Sequence, residues 1–561
     1  MKLRNLPFRR YRCPVSPLNL FWTLLVLCWA MLPAAPKAST TENRPNFLVI
    51  VADDLGYTDI GAFGGEIETR NLDRMAAKGV KLTNFYAAPT CSPTRAMLLS
   101  GVDSHRAGLG NMAETIRPNQ VGKKGYEGYL NFDVVSLAEV LKDSNYRTYM
   151  AGKWHLGMED NQGPAARGFA RSFALLQGGV SHFDETGLFA GSPRSFYRED
   201  GKPVSLPGDF YSSDYYASKL IAYFSEDRDS EKPFLAYLAF TAPHWPLHAP
   251  DDLIAKYEAR YTAGYQEVLE SRMQRATALG VVPGPPEAEV TFPGKTDWSE
   301  LNQEERLIEA RKMAVYAAMV DRMDKNVGDV LKYLQDHDQL QNTYIIFMSD
   351  NGAEGHDLGR SPWLQGWLEQ FDNSYDNIGR RNSYTWYGPN WAHVATAPYR
   401  LYKGFPSEGG IRVPGIVLGP GIPAGEQTNN ATLSVLDIMP TILDLAEIQH
   451  PSSYQGRNVL PLHGQSFAGL LTGKIVAETP NRELGWELFG NRGLRHGEWK
   501  LMAIAPPYGT GEWQLFNLET DPGETLDLGN EHPEKLRELV VLWEKYAKAN
   551  NVILPDNDGS Y

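Results

Sequence analysis

Short runs of nearly continuous apolar residues recur along the chain and predict the strands of a central sheet. The clearest runs are 46–52, 146–151, 233–240 and 343–348, and the first of them reads NFLVIVA. Strands of a parallel sheet have continuous rather than alternating apolar sequences, because helices cover both of their faces. The pattern therefore predicts a largely parallel sheet with helices on each side.

Segments with helical spacing of apolar residues separate these strands. They are 70–78, 94–100, 136–142, 214–224 and a long segment from about 304 to 335, with one more short strand predicted over 80–86. In the long segment Met313, Tyr316, Val320 and Val327 follow the three- and four-residue intervals of one helix face. This alternation of strands and helices indicates a doubly wound α/β core.

Two long insertions interrupt the alternation. Residues 250–300 are polar and rich in proline, and residues 356–400 are dense in aromatic residues. The aromatic residues of the second insertion include Trp363, Trp367, Trp386, Tyr387, Trp391 and Tyr399. Long loops without regular structure usually serve a site. The aromatic side chains could therefore wall a pocket, or they could simply pack.

Beyond about residue 460 the pattern changes to short strands, over 486–489, 494–504 and 514–517, closed by a helix over 533–548. This change predicts a smaller C-terminal α+β subdomain with an antiparallel sheet. We therefore divide the chain into a main domain over 44–459 and a C-terminal subdomain over 460–561.

The first 38 residues have the pattern of an export signal. Basic residues such as Lys2, Arg4 and Arg9 precede the apolar run 18–32, and small residues follow it. The alternatives are an uncleaved membrane anchor and a buried core helix. We predict a periplasmic or secreted protein, with membrane contact only if the leader is not cleaved.

Composition and charge narrow the classes of function. The 561 residues are 42% hydrophobic and 22% charged, which excludes a disordered chain. The formal charge is −14, and removing residues 1–40, with six basic and no acidic side chains, would bring it to −20. A nucleic-acid partner is therefore not expected, and an anionic substrate needs a local positive site.

The three cysteines are Cys13, Cys28 and Cys91. Cleavage of the leader would leave Cys91 alone, so the exported protein could form no internal disulfide. A single thiol in an exported protein is buried, is a liability, or is used chemically.

Oxygen-bearing side chains follow two of the predicted strands. Asp53 and Asp54 come directly after 46–52, and Asp350 and Asn351 come after 343–348. Ligands of parallel sheets bind beyond the carboxyl ends of the strands. Carboxylate and amide oxygens suit Ca²⁺ or Mg²⁺. Taken singly, each acidic pair could be a solvated turn, whereas the two together predict a metal site.

The segment 89–101 reads PTCSPTRAMLLSG. Its Cys91, Pro93 and Arg95 resemble the core motif of the type I sulfatase family, in which the cysteine is oxidised to formylglycine. The resemblance implies that the hydrated aldehyde of residue 91 is the nucleophile, with one hydroxyl attacking sulfur and the other later expelling sulfate. Arg95 lies one helical turn further on and can neutralise a developing oxyanion. An unmodified buried thiol near a helix start is the alternative.

Three further segments resemble the same family. In Gly-Lys-Trp-His, Lys153 and His155 would share one side of an extended backbone. The resemblance assigns Lys153 to sulfate binding and His155 to the second diol hydroxyl. It also makes His244 the proton donor to the leaving oxygen and Lys403 a sulfate ligand. Asp350 would accept a proton from the attacking diol.

Three other residues near these segments are not expected to do chemistry. We expect His248 at the surface, and we expect Glu408 and Arg412 to hold the loop that follows Lys403.

The resemblance extends from 46 to about 528 and is most specific to bacterial arylsulfatases of the Pseudomonas type. It implies an alkaline-phosphatase-like fold, with a large mixed, mostly parallel sheet sandwiched by helices. It also implies a metal site of Asp53, Asp54, residue 91, Asp350 and Asn351 that holds calcium, with magnesium as the alternative. A formylglycine-generating enzyme would be a partner, acting on the unfolded chain.

The expected reaction is hydrolysis of sulfate monoesters, with aryl sulfates foremost. Two other functions stay open on the sequence. One is hydrolysis of phosphonate monoesters or phosphodiesters by the same superfamily, and the other is an unmodified, non-catalytic metal-binding protein of this fold.

Overall fold

The computed structural model describes Pro7 and residues 44–284, 290–361, 364–473 and 481–556. The predicted leader and Trp363 lie outside these residues. Residues Pro45–Tyr561 form one compact unit. Within the described part of the chain, no helix has both the length and the apolar character needed to cross a bilayer.

The strands, in chain order, are β1 Asn46–Ala52, β2 Val80–Leu82, β3 Phe85–Tyr86, β4 Arg147–Lys153, β5 Arg171–Leu175, β6 Thr186–Phe189, β7 Ser192–Arg194, β8 Tyr197–Glu199, β9 Lys202–Pro203, β10 Phe234–Ala239, β11 Thr343–Ser349, β12 Gly415–Leu418, β13 Gln427–Asn429, β14 Leu433–Ser434, β15 Ser453–Tyr454, β16 Arg457–Asn458, β17 Glu483–Leu488, β18 Asn491–His496, β19 Trp499–Ala503 and β20 Gln514–Asn517. The helices are α1 Arg70–Lys78, α2 Cys91–Ser100, α3 Leu137–Asp143, α4 Ser212–Glu226, α5 Asp251–Tyr257, α6 Tyr265–Ala278, α7 Gln303–Asp336, α8 Gly388–Thr396, α9 Glu408–Ile411, α10 Ile438–Leu445, α11 Ala468–Leu471 and α12 Pro533–Asn550.

A ten-stranded mixed sheet forms the centre of the molecule, in the order β13-β2-β12-β11-β1-β10-β4-β5-β8-β9. Its middle strands, from β11 to β5, run parallel, whereas β12 and β8 are antiparallel to their neighbours. The predicted fold class, a large mixed and mostly parallel sheet, is confirmed.

Helices cover both faces of this sheet, because alternate residues of each strand point to opposite sides. In β1, Leu48 and Ile50 join a core with α1, α4 and α7, whereas Phe47 and Val49 join a core with α2, α3 and α10. All seven residues of β1 are buried. Burial on both faces is why the apolar run is continuous.

The insertion over 250–300 differs from the expected loop without regular structure. It contains α5 and α6, and Val268, Met273 and Ala276 of α6 are buried in the main core. Arg272, also on α6, lies 2.6 Å from Asp59 and 2.7 Å from Glu66. The sequence did not predict α6, because its buried face includes the charged residue Arg272, which interrupts the apolar spacing. Arg272 can be buried because it is paired with Asp59 and Glu66.

The C-terminal sheet is an antiparallel meander in the order β17-β18-β19-β20. The strand predicted over 494–504 is two strands, because Gly497 turns the chain with a φ of 64°. Helix α12 packs Leu539 and Trp543 against this sheet. The Trp486 indole donates a hydrogen bond of 2.9 Å to the Ala87 carbonyl, which joins the sheet to the segment that precedes α2.

Candidate active site

Two parallel strands bring the acidic pairs to the same edge of the sheet. Strand β1 pairs with β11 in a register that sets Ala52 opposite Ser349. The next residues, Asp53-Asp54 and Asp350-Asn351, therefore leave the sheet together, and all four are fully buried or nearly so. The Asp54 amide donates to the Asp350 carboxylate over 3.3 Å, which joins the two strand ends.

Cys91 is the first residue of helix α2, three residues before the predicted start. Its side chain is buried, and its Sγ lies 3.5 Å from Asp53 Oδ1. Burial raises the pKa of this thiol well above its usual value. An unmodified Cys91 is thus a neutral thiol and a poor nucleophile.

Arg95 lies one turn along α2 and is fully buried. Its Nη2 and Nε donate to Asp350 Oδ2 over 2.7 and 3.0 Å, and its Nη1 donates to the Lys153 carbonyl over 3.1 Å. Burial alone would raise the pKa of Asp350, but Arg95 and the two nearby lysines hold it below its ordinary value. Asp350 is therefore ionised.

Each predicted lysine binds one aspartate of the first strand end. Lys153 Nζ donates to Asp53 over 2.7 Å, and Lys403 Nζ lies 2.9 Å from Asp54. Both side chains are fully buried. Burial lowers the pKa of Lys153, but Asp53 more than offsets this and raises it above its ordinary value. Two positive charges are thus fixed at the centre of the site.

The acidic residues of this cluster outnumber its permanent cations. Carboxylates and cations in contact are Asp53, Asp54, Asp350 and Glu354 on one side and Arg95, Lys153 and Lys403 on the other. Burial and the charge of Asp350 raise the pKa of Asp53 to about 7. Burial also raises the pKa of Asp54, to about 6. Carboxylates held this way favour a further cation.

The donor set fits a hard divalent cation. Asn351 donates its amide to Asp54 over 2.7 Å, yet its buried Oδ1 has no hydrogen-bond partner among the described residues. A buried acceptor of this kind costs free energy unless something binds it. Ligand atoms of Asp53, Asp54, Cys91 and His244 lie within 4.8 Å of one another. The oxygens suit Ca²⁺ or Mg²⁺. Asp350 and Asn351 adjoin this cluster through their contacts with Asp54.

His244 extends this cluster in a way that the sequence did not indicate. Its Nε2 lies 3.5 Å from Asp54 Oδ2, while its Nδ1 faces the Trp245 carbonyl. Because a carbonyl only accepts, Nδ1 carries the proton and Nε2 has a free lone pair. Burial, Lys403 and Lys153 lower the pKa of His244 well below its usual value. His244 is therefore neutral here, whereas an imidazole that protonates a leaving group must itself be in its protonated form.

His155 reaches the site by a different route from the predicted one. Strand β4 ends at Lys153, and His155 has a left-handed φ of 55°, so the two side chains do not share an extended backbone. Lys153 binds Asp53, whereas His155 Nε2 lies 3.0 Å from Glu114 Oε1. The ionised carboxylate can only accept, so Nε2 carries the proton. The buried Nδ1 is then an acceptor, with no hydrogen-bond partner in the described structure.

Sequence reasoning missed two acidic residues of the site. Glu354 binds His356 over 2.6 Å and lies 3.5 Å from Lys403. Its position four residues after Asp350 was a signal, because it is a second acidic residue after the same strand end. Glu114 had no such signal, since it lies in a loop without a recognised motif. Although burial raises the pKa of Glu114, His155 lowers it to about 2.

Three residues to which we assigned no function have clear structural environments. His248 was expected at the surface and is instead 1% exposed, with its Nε2 2.8 Å from the Ser383 carbonyl. Glu408 accepts hydrogen bonds from Lys500 and Tyr86, and the Arg412 Nε donates to the Thr83 carbonyl. Both hold the loop after Lys403, as predicted.

The aromatic insertion has a packing role in its described part. Trp367 and Tyr384 form a cluster with Trp245, the residue after His244. Tyr387 stacks on Tyr316 of α7 at a centroid distance of 4.4 Å. Trp391 packs against Tyr265 of α6. The insertion therefore supports the segment that carries His244.

Comparison with known proteins agrees with this arrangement. A family model described as Sulfatase matches residues 45–448. A second model, described as N-sulphoglucosamine sulphohydrolase, C-terminal, matches residues 399–545. Together they span the main sheet and the C-terminal sheet.

Individual relatives cover nearly the whole chain. An uncharacterised sulfatase of Schizosaccharomyces pombe is 46% identical and covers 92% of this chain and 96% of its own length. An arylsulfatase of Klebsiella aerogenes is 40% identical over 79% of this chain and 96% of its own. The solved structure of Ps i-CgsB in complex with k-i-k-neocarrahexaose superposes with a TM-score of 0.64 at 24% identity, covering 90% of this chain and 93% of that one. This last likeness concerns the fold.

Proposed function

The chain belongs to the sulfatase family, and we propose that this sulfate ester hydrolase acts on aryl sulfates, releasing a phenol and inorganic sulfate. The observation that carries the proposal is the convergence of Cys91, Lys153 and Lys403 on the two aspartates after β1. These residues come from distant parts of the chain. A nucleophile position between two buried ammonium groups suits an anionic ester.

Residue 91 acts, in this proposal, as formylglycine made from Cys91. The conversion breaks the bond from Cβ to sulfur, releases the sulfur as sulfide and oxidises Cβ by two electrons to an aldehyde. It therefore needs an external oxidant such as dioxygen and a separate enzyme, the formylglycine-generating enzyme. Cys91 is 1% exposed in the folded chain. Such burial supports a conversion that takes place on the unfolded chain, before the fold closes over the residue.

The proposed reaction has two steps, which are formation of a sulfate ester on residue 91 and release of sulfate from it. One hydroxyl of the hydrated aldehyde loses its proton to Asp350 and bonds to sulfur, while the bond from sulfur to the leaving oxygen breaks. The leaving oxygen takes a proton from His244. In the second half, the other hydroxyl loses its proton and the C–O bond to sulfate breaks, which restores the aldehyde and frees sulfate.

The cationic side chains stabilise the charge that develops in these steps. Lys153 and Lys403 would bind the sulfate oxygens, and Arg95 holds Asp350 in place. Burial and the charges of Lys403 and Lys153 keep His244 neutral, and an anionic ester beside the lysines offsets the second of these causes. Substrate binding would thus favour the protonated imidazole that the leaving oxygen needs.

His155 suits the second half of the reaction. Its Nε2–H donates to Glu114, so Nδ1 presents a lone pair that can take a proton from the second hydroxyl.

A divalent cation, calcium in our proposal, would be held by Asp53, Asp54, Asp350 and Asn351 and would supply positive charge beside residue 91. Magnesium is the alternative, since both prefer oxygen ligands.

Peptide mass analysis and a substrate panel test this function. Protein from its native host should carry the aldehyde at residue 91 and hydrolyse 4-nitrophenyl sulfate faster than bis(4-nitrophenyl) phosphate. Faster diester hydrolysis would favour the phosphodiesterase alternative, and an intact thiol without turnover would favour the non-catalytic one. Sulfated sugars belong in the panel because Ps i-CgsB was solved with a neocarrahexaose.

We also propose that the protein works in the periplasm or outside the cell. The support is the basic and apolar pattern of residues 1–38. Cell fractionation with N-terminal sequencing of the purified protein tests this proposal. An intact Met1 in a cytosolic fraction would contradict it.

A further inference from the structure

A cavity of about 360 Å³ opens beside His155 and is not part of the charged cluster. Most of its wall is apolar. The side chains that define it are Glu114, Met158, Leu176, Leu188, Phe189 and Phe196. Met158 and Phe196 are 38% and 54% exposed, so the rim of the cavity presents apolar surface to solvent. Such a cavity suits the apolar part of a small molecule.

Two glycines in the cavity lining lie against both site histidines. A Cβ on Gly178 would lie 2.6 Å from His155 Cε1, and one on Gly179 would lie 2.6 Å from Leu188 Cδ1. The Gly179 position is also 3.1 Å from His244 Cε1. Because neither glycine has a side chain, the His155 ring can pack against Gly178, and Leu188 and the His244 ring can pack against Gly179. The cavity is therefore lined by His155 and lies next to the residue proposed to protonate the leaving oxygen.

Leu188 and Phe189 form part of the cavity wall, and residues outside the cavity pack against them. Leu188 and Phe189 end strand β6, which pairs with β7 as a short hairpin. Both side chains pack against the cluster of Trp245, Trp367 and Tyr384, and the Tyr384 hydroxyl donates to the Leu188 carbonyl. This support fixes the cavity before any ligand arrives, which lowers the entropic cost of binding.

We propose that this cavity beside Gly178 and Gly179 holds the leaving group of the ester and selects a flat, uncharged aromatic ring. The inference rests on the proposed function and specifies its substrate class. A ring attached to the oxygen next to His244 would extend into this cavity and contact its apolar wall, which includes Leu188. A sugar would bring several hydroxyl groups against an apolar wall that offers them few partners.

Glu114 sets the charge that the cavity accepts. Its side chain is 35% exposed, and it is the acidic residue of the lining. His155 keeps this carboxylate ionised, as the lowered pKa of Glu114 shows. A carboxylate on the leaving group would meet this like charge, so neutral rings are favoured.

Binding of the two reaction products separates this cavity from the sulfate site. Calorimetry with 2-naphthol probes the cavity, and calorimetry with inorganic sulfate probes the lysines. In the Met158→Ser protein, the lost apolar contact at the rim should weaken 2-naphthol binding about threefold, while sulfate binding stays within about twofold. Leu526→Ser is the matched control, because Leu526 is 50% exposed and lies outside the cavity lining.

Phe196→Ser provides a second variant with little risk to folding, since Phe196 is half exposed. It should weaken 2-naphthol binding about threefold through lost apolar contact. Unchanged 2-naphthol affinity in both variants, or no 2-naphthol binding to the wild-type protein, would overturn the inference. Because these readouts do not need turnover, they are independent of the proposed function, which fails separately if no sulfate ester is hydrolysed.

Discussion

Two buried histidines in contact with aspartates behave in opposite ways. His105 lies between Asp103 and Glu487, at 3.0 and 3.3 Å, and these carboxylates raise its pKa to about 9 despite burial. His244 also approaches an aspartate, Asp54, but burial and two lysines hold its pKa well below the usual value. The first histidine is charged and the second is neutral.

The two surroundings differ in how completely their polar groups are paired. Around His105 each carboxylate oxygen has a partner, since Tyr546 donates to Asp103 and the Gly490 amide donates to Glu487. Around His244 the acidic groups exceed the permanent cations, and Asn351 Oδ1 has no described partner. The fully paired network around His105 joins the C-terminal sheet to the main domain. The incompletely paired network around His244 has groups left to bind ligands.

Replacing the nucleophile should produce the largest contrast between the two regions. Cys91→Ala should lower kcat/KM for 4-nitrophenyl sulfate about 10⁴-fold or more, because the nucleophile of the proposed reaction is lost. The free energy of unfolding should change by only about 1 kcal/mol, as a small buried group is lost. Turnover assays and thermal unfolding of the same preparation measure both. Retained turnover would contradict our role for residue 91.

Removing divalent cations should affect only the incompletely paired cluster around His244. After treatment with a chelator, turnover should fall about 100-fold or more and return with added Ca²⁺ or Mg²⁺. Loss of a cation present at 100 times its Kd removes about 2.7 kcal/mol of stability. Calorimetric unfolding with and without the chelator measures this shift. A protein indifferent to chelation in both assays would refute the metal site.

Breaking the fully paired cluster around His105 should have the opposite effect, because it should lower stability and leave activity nearly unchanged. His105→Gln leaves two buried carboxylates without their cation and should lower the free energy of unfolding by about 3 kcal/mol. Since His105 touches no site residue, kcat/KM of the folded variant should stay within about twofold of wild type. Denaturant unfolding and initial rates are the measurements. A large loss of activity with unchanged stability would remove the distinction between the regions.

The same histidine predicts a pH dependence of stability. Its pKa is raised to about 9 in the folded chain, so its stabilisation is complete below the unfolded pKa of about 6.5. That stabilisation should fall as the pH rises through about 9. Unfolding free energies of wild type and His105→Gln between pH 6 and 10 should therefore converge at the alkaline end. Parallel curves would exclude His105 as the titrating group.

The smallest expected effect concerns Glu114, which positions the His155 ring. Glu114→Gln should lower kcat about tenfold, because the amide no longer fixes the imidazole as a carboxylate does. Burial lowers the pKa of His155 below its ordinary value, Lys153 and Arg95 lower it further, and Glu114 opposes them. Its removal should therefore move the acidic limb of the pH–rate profile to lower pH.

Glu114→Asp is the control for this prediction. It keeps the negative charge and should retain the position of the acidic limb, although its shorter side chain weakens the contact with His155. A lower kcat without any movement of the limb in Glu114→Gln would mean that Glu114 has only a structural role.

Local signals account for what the sequence predicted well. Asp53, Asp54, Asp350 and Asn351 directly follow continuous apolar runs, and the carboxyl ends of parallel strands meet at one edge. The family motif that this chain resembles is contained in five consecutive residues, 91–95. Helix α6 was missed because its buried face contains Arg272, whose partners Asp59 and Glu66 are remote in sequence.

The sequence by itself determined the sheet, the strand ends that carry the acidic groups, and the residues expected to do chemistry. Only the tertiary structure decided which charges meet. It paired Glu114 with His155, enclosed His105 between carboxylates, and set Gly178 and Gly179 beside the two site histidines. The reason is physical: apolar periodicity acts between neighbours in the chain, whereas burial and Coulomb interactions depend on distances in space that one sequence does not contain.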